Sequence, residues 1–202
     1  AGKAVDIGFD GSISAARNAL RPLETEYDIA VQPSEGRRKM LLVSDMDSTM
    51  ITVECIDELA DYAGIKPEIA AITEQAMAGE LDFAEALKAR VALLAGLSED
   101  VIAQCLSERV RPMAGAETLV RTMTTWGAHG VLVSGGFTSF AGPVADIIGL
   151  ADVHANVLEI KDGKLTGSLV GKIVDAEAKQ KVLEAAALSE GLRLEQALAV
   201  GD

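Results

Sequence analysis

Basic residues are scarce. The 202-residue chain carries 18 Lys and Arg against 31 Asp and Glu, a formal net charge of −13. Such a surface repels DNA, RNA and anionic membranes, which removes those partners. Cysteine is nearly absent: Cys55 and Cys105 stand far apart, without any Cys/His cluster. That argues against zinc or iron–sulfur sites and against a disulfide framework, and for reduced, buried thiols in a cytoplasmic protein. Long apolar runs are missing, and with them any transmembrane helix. No signal-peptide pattern opens the chain. No Gly-x-x-x-x-Gly-Lys loop occurs, which weakens a kinase or nucleotide-triphosphatase reading. What is present is 49% hydrophobic and 24% charged residues. That suits one substantial core, or one domain with a smaller insert, and argues against disorder. The chain starts without Met and stops at Val200-Gly201-Asp202, so a fragment of a longer protein is expected.

Residues 1–39 read weakly. Ala4–Phe9 and Tyr27–Val31 suggest strands and Ile13–Leu20 a short helix, with 32–39 a polar linker. The region has too few apolar residues for its own core and is expected to be the remnant of a separate domain. From Met40 the pattern sharpens. A short apolar run ending in Ser44-Asp45 suits a buried parallel strand. Four helices should follow, capped by Thr52, begun at Pro67, capped by Asp82 and capped by Ser98, with stops at Gly64, Gly79, Gly96 and Pro112. Strand–helix alternation then resumes: a helix over 116–126, a strand over 131–136, and a helix over 139–148. A hairpin turns at Asp162-Gly163. Asp175 caps a last helix, and 197–200 is the last strand. The expected fold class is α/β: a parallel-sheet core over 40–52 and 113–202, an inserted helical cap over 53–112, and a β-hairpin.

Three apolar runs end alike, in Asp45, in Ser134 and in Gly201-Asp202. Intervening helices force right-handed crossovers, so these strands lie parallel with their carboxyl ends on one edge. Asp45, Asp47, Ser134 and Asp202 should therefore converge, although each alone reads equally well as a turn or cap residue. Carboxylates at that edge form a hard oxygen site suited to Mg²⁺ and a phosphate. Ser134-Gly135-Gly136 offers a hydroxyl and backbone N–H groups at a helix start. Lys179, early in the last helix, would point to the same edge; otherwise it is a solvated lysine. Arg90 falls within the apolar stripe Phe83, Leu87, Leu94, where an arginine either snorkels out or serves as a carboxylate clamp. Glu54 by periodicity is a first-turn acid.

Asp45-Met46-Asp47-Ser48-Thr49 matches the Asp-x-Asp-x-Thr signature of the haloacid-dehalogenase superfamily, with Ser134-Gly135, Lys179 and Gly201-Asp202 at matching spacing. The stretches Glu54-Cys-Ile-Asp-Glu-Leu-Ala60, Ala76-Met77-Ala-Gly-Glu-Leu-Asp-Phe83, Arg90-Val-Ala-Leu-Leu94 and Val133-Ser-Gly-Gly-Phe137 resemble the phosphoserine phosphatases within it. The resemblance covers about residues 40–202. It implies a Rossmann-like core with a helical cap. It also implies hydrolysis of O-phosphoserine to serine, the last step of serine biosynthesis, through an aspartyl-phosphate. Asp45 is then the nucleophile and Asp47 the acid and base. Mg²⁺ is held by Asp45, Asp202 and the carbonyl of Asp47. Ser134, Gly135 and Lys179 bind the phosphoryl group. Glu54 accepts the substrate ammonium, Arg90 clamps its carboxylate, and Met77 and Phe83 close over it, unless they are only cap core. One departure is that nothing follows Asp202, where the family has further Gly, Asn and Asp residues. A phosphatase for another small phosphomonoester and an inactive fragment are the alternatives.

Overall fold

The computed structural model describes residues 4–202, which divide into two compact units on either side of Lys39 and Met40; residues 1–3 of the expected N-terminal region lie outside the described residues. In the first unit, helix α1 (Ile13–Leu20) forms where expected, with Ser12 Oγ accepting from the Ala15 N–H at 3.4 Å. The two expected strands do not form. A strand needs a partner ladder and a covered face, and no described residue of this unit is buried; Val5 and Ile7 are about four-fifths exposed.

In the second unit, β1 (Leu41–Ser44) is buried along its whole length, as an inner parallel strand requires. Its parallel neighbours are β2 (His129–Phe137) and β5 (Ala197–Val200). Beyond β2 lies β3 (Asp152–Lys161), also parallel, then β4 (Lys164–Val170), antiparallel, giving the order β4-β3-β2-β1-β5. The hairpin turn uses Asp162 and Gly163, both at positive φ, the conformation that a two-residue hairpin loop demands. Its first strand extends the main sheet instead of standing apart from it.

Side chains alternate across the sheet. Leu42 and Leu132 face one core, shared with α6 (Ala116–Thr125) and α7 (Thr138–Ile148). Leu41, Val43, Val131 and Val133 face the other, covered by Ala187 and Leu183 of α8 (Ala176–Ser189).

Between β1 and α6 run α2 (Cys55–Ala63), α3 (Lys66–Met77), α4 (Phe83–Ala92) and α5 (Asp100–Glu108). Thr52 does not cap α2. Its N–H donates to the Arg111 carbonyl, beside a bridge between Ile51 and Pro112, so the entry and exit of the helical segment are paired to each other. Glu54 takes the N-cap position without capping through its side chain. Ser98 likewise lies one residue before the N-cap position of α5, which Glu99 occupies. Asp82 caps α4 with a full capping box to Glu85. Cys55 and Cys105 are free and buried. Burial pushes both thiols up, that of Cys105 to about 11, so they act as packing groups. No helix among the described residues is long and apolar enough to cross a membrane.

The hairpin also grips the helical segment. Gly96 donates to Leu165 O, Leu165 to Leu97 O and Glu99 to Gly163 O, at 2.8–3.0 Å. Gly167, at φ +83°, lets β4 pass so close to α4 that a Cβ there would stand 2.9 Å from Ala95 Cβ and 3.0 Å from Ala92 O. Gly167→Ala is therefore expected to cost about 1–3 kcal/mol, read as a lower urea midpoint at unchanged m-value. An unchanged midpoint would show that this contact is slack.

Candidate active site

The register of the sheet makes the site. Ser44 is level with Leu132 on one side and Val200 on the other, so β1, β2 and β5 deliver their following residues to one edge. Asp45 is fixed there by its own N–H, which donates to Val200 O at 2.9 Å. A cavity of about 200 Å³ opens at this edge; the core lines it with Asp45, Asp47, Ser134, Gly135, Lys179 and Asp202. The helical segment lines it with Glu54, Phe83 and Arg90. Met77 is not brought there. It is the last residue of α3 and 85% exposed, because that helix buries only Ile69. The apolar wall is Phe83 with Ile56, Leu87 and Phe137, three residues that read in sequence only as core positions.

The two loop carboxylates are held differently. Asp45 Oδ1 accepts from the Met46 N–H at 2.7 Å, and Oδ2 is ion-paired with Lys179 Nζ, 134 positions along the chain. The Asp47 carboxyl is pushed up to about 7. Burial is the largest cause; hydrogen bonding from Cys55 opposes it, and the charges of Glu54 and Asp45 add to it. Its Oδ2 accepts from the Cys55 N–H at 3.2 Å, while Oδ1 is buried with no hydrogen-bond partner. A protonated Asp47 with an unspent oxygen beside an anionic Asp45 is a division of labour suited to acid and nucleophile.

Opposite this loop, Ser134 is almost fully buried, and its Oγ accepts from the Gly136 N–H at 2.9 Å. Gly136 thus spends its N–H within the turn. A Cβ on Gly136 would lie 3.2 Å from Asp47 Oδ2 and 3.0 Å from Met46 Cε, so only glycine lets β2 approach the Asp45–Thr49 loop this closely. Asn156 of β3 escaped the sequence reading. Buried, it donates from Nδ2 to Gly135 O at 2.8 Å and accepts at Oδ1 from the Val174 N–H at 2.9 Å. It joins the Ser134–Gly135 turn to the segment that leads into Asp175 and α8, and so to Lys179. The strand also carries Asp152, His154, Glu159 and Lys161, so one more polar residue in it gives no local signal.

On the helical side, Arg90 Nε donates to Ala86 O at 3.3 Å, and among the described residues the guanidinium makes no ion pair. Burial lowers its pKa, while Asp57 and Glu54 act the other way. Its remaining donors are available to a carboxylate. Glu54 Oε1 accepts from Ser48 Oγ at 2.6 Å.

Among the described residues, no three His, Cys, Asp or Glu side chains stand close enough to cage a metal by themselves. The oxygen donors at this edge are hard: the carboxylates of Asp45 and Asp202, with the Asp45–Thr49 loop beside them. That set fits Mg²⁺, which takes few protein ligands and keeps water.

The chain is 41% identical over 201 residues to the phosphoserine phosphatase of Archaeoglobus fulgidus, covering 98% of this chain and 58% of that one. It is 46% identical over 192 residues to the phosphoserine phosphatase of a Polaromonas species, covering 91% of this chain and 81% of that one. The chain spans about half the length of the first relatives it matches. A solved structure described as a phospho-aspartyl intermediate analogue of phosphoserine phosphatase superposes with a TM-score of 0.74 at 37% identity, covering 81% of this chain and 78% of that chain. The haloacid dehalogenase-like hydrolase model matches residues 42–202. With its parallel sheet, level strand ends and paired loop aspartates, the chain belongs to the haloacid dehalogenase-like hydrolases.

Proposed function

We propose that this chain is the phosphatase unit of an enzyme that hydrolyses O-phospho-L-serine, the last step of serine biosynthesis, in the cytoplasm. Residues 53–112 act as a cap on a core of 40–52 and 113–202, and residues 1–39 belong to a separate unit. The observation that carries the reading is one small cavity. It sets the Asp45–Asp47 pair against Glu54 and an Arg90 that makes no ion pair among the described residues, both from the helical segment. A phosphomonoester with both a carboxylate and an ammonium complements all four. The phosphoserine phosphatases among its relatives support this choice.

In the first step Asp45 attacks phosphorus through a carboxylate oxygen. The P–O bond to serine breaks, and Asp47 gives its proton to the departing oxygen, so no alkoxide is released. In the second step Asp47, now a carboxylate, takes a proton from water as it attacks the aspartyl-phosphate, which returns both groups to their starting states. Ser134, the Gly135 N–H and Lys179 hold the phosphoryl oxygens as charge shifts among them. Arg90 clamps the serine carboxylate and Glu54 the ammonium. Asp45, Asp202 and the Asp47 carbonyl would hold Mg²⁺, whose charge offsets that of the phosphate.

Asp45→Asn removes the attacking carboxylate and is expected to lower turnover at least about a thousandfold while leaving the fold intact by circular dichroism. Asp47→Asn should harm phosphoserine far more than an aryl phosphate, whose leaving group needs little protonation. Equal losses on the two esters would remove Asp47 from the acid role.

Arg90→Ala should reduce kcat/KM for phosphoserine by roughly ten- to a hundredfold, the worth of a charged hydrogen-bonded contact, with little effect on p-nitrophenyl phosphate. A uniform loss would assign Arg90 to cap packing and leave the substrate undetermined.

Chelation should stop phosphate release and added Mg²⁺ restore it. Asp202→Asn should raise the Mg²⁺ concentration needed for half-maximal rate. An unchanged Mg²⁺ requirement would take Asp202 out of the ligand set.

A further inference from the structure

Ser48 follows Asp47 in a tight loop. The Met46 carbonyl accepts from the N–H groups of Thr49, Met50 and Ile51, and the Ser48 N–H donates to Val53 O. This bonding holds Ser48 at φ +52°. Among the described residues only Ser48 and Asp162 adopt positive φ without being glycine. Asp162 sits in a hairpin turn, where Asp is common. For Ser48 the backbone alone would be better served by glycine, which enters this region without steric cost. The side chain must therefore contribute something that the loop geometry does not need.

Its contact shows what. Ser48 Oγ donates to Glu54 Oε1 at 2.6 Å. Glu54 is exposed, does not cap its helix, and among the described residues has no cation within ion-pair distance. Three side-chain torsions would otherwise leave its carboxylate free to wander over the mouth of the cavity. A lysine or arginine could anchor it too, but would neutralise it. A hydroxyl fixes one oxygen while leaving the negative charge and the second oxygen unspent.

We infer that Ser48 is a positioning residue for substrate selection: it holds the Glu54 carboxylate, still fully charged, where it receives the ammonium of the substrate. This rests on the phosphoserine reading of the same cavity. It predicts that Ser48 matters only for substrates that carry the ammonium.

The test compares O-phosphoserine with 3-phosphooxypropanoate, the same ester without its amino group. Ser48→Gly relieves the backbone and removes the hydroxyl, and Ser48→Ala removes the hydroxyl alone. Both should lower kcat/KM for phosphoserine about tenfold more than for the deaminated ester, mainly through KM. The melting temperature of the glycine variant should not fall. In a Glu54→Gln background, either substitution should add little, because the two side chains act as one unit. Equal loss on both esters, or no loss on either, while Glu54→Gln still erases the preference for phosphoserine, would overturn the role of Ser48 and leave the substrate assignment standing. A wild-type chain that does not prefer phosphoserine over the deaminated ester would overturn both.

Discussion

Two carboxylates separated by one residue are held in different surroundings, and much of the structure serves that difference. Asp45 meets a cation, Lys179, and a main-chain N–H. Asp47 is turned into the protein beneath the first turn of α2, where burial favours its neutral form. Positions two apart in a chain leaving a strand point to the same side, so both carboxylates reach one cavity, while Met46 between them is fully buried and its carbonyl gathers the loop. The difference is thus produced by packing and not by distance.

That packing is supplied from far along the chain. Lys179 comes from α8, and α8 is placed by the segment whose Val174 N–H is held by Asn156. The same Asn156 holds the Gly135 carbonyl. One buried amide therefore ties both sides of the cavity edge to β3. Because its donor and its acceptor are both used, any loss would leave partly buried main-chain groups without a partner. Gly136 completes the arrangement by absence, since a single methyl there would press on Met46, Ser134 and Asp47 at 3.0–3.2 Å.

The convergence of Asp45, Ser134 and Asp202 was legible because each ends a short apolar run, and parallel strands leave no choice of edge. Helix ends set by local chemistry were legible too, as at Asp82 and Asp175, whose side chains accept from residues three positions on. What failed depended on partners. The expected strands of the first unit, 4–9 and 27–31, find no ladder among the described residues, so those segments stay irregular beside α1. Thr52 has the chemistry of a cap but lies where the chain pairs with Arg111, and tertiary pairing took its N–H. Met77 falls at the end of a helix with one buried residue, and no periodicity reports that the helix is so thinly covered. Asn156 and the bond from Ser48 to Glu54 each join segments through a side chain. Neither has a local pattern that announces it.

The charge of the cavity makes the final constraint. Its charged lining is Asp45, Asp47, Glu54 and Asp202 against Arg90 and Lys179. Even with Asp47 protonated, the anionic side chains outnumber the cationic ones, in a chain already at −13. Such a cavity has little affinity for a phosphate dianion, since charges this close interact strongly in a partly desolvated site. The same excess favours a divalent cation between Asp45 and Asp202, and a bound cation would reverse the local sign. On our reading of the function, metal and phosphate are therefore coupled. The acidic edge is poor at binding the phosphate until the cation is there, because Lys179, shared between Asp45 and the phosphoryl group, does not offset the excess alone.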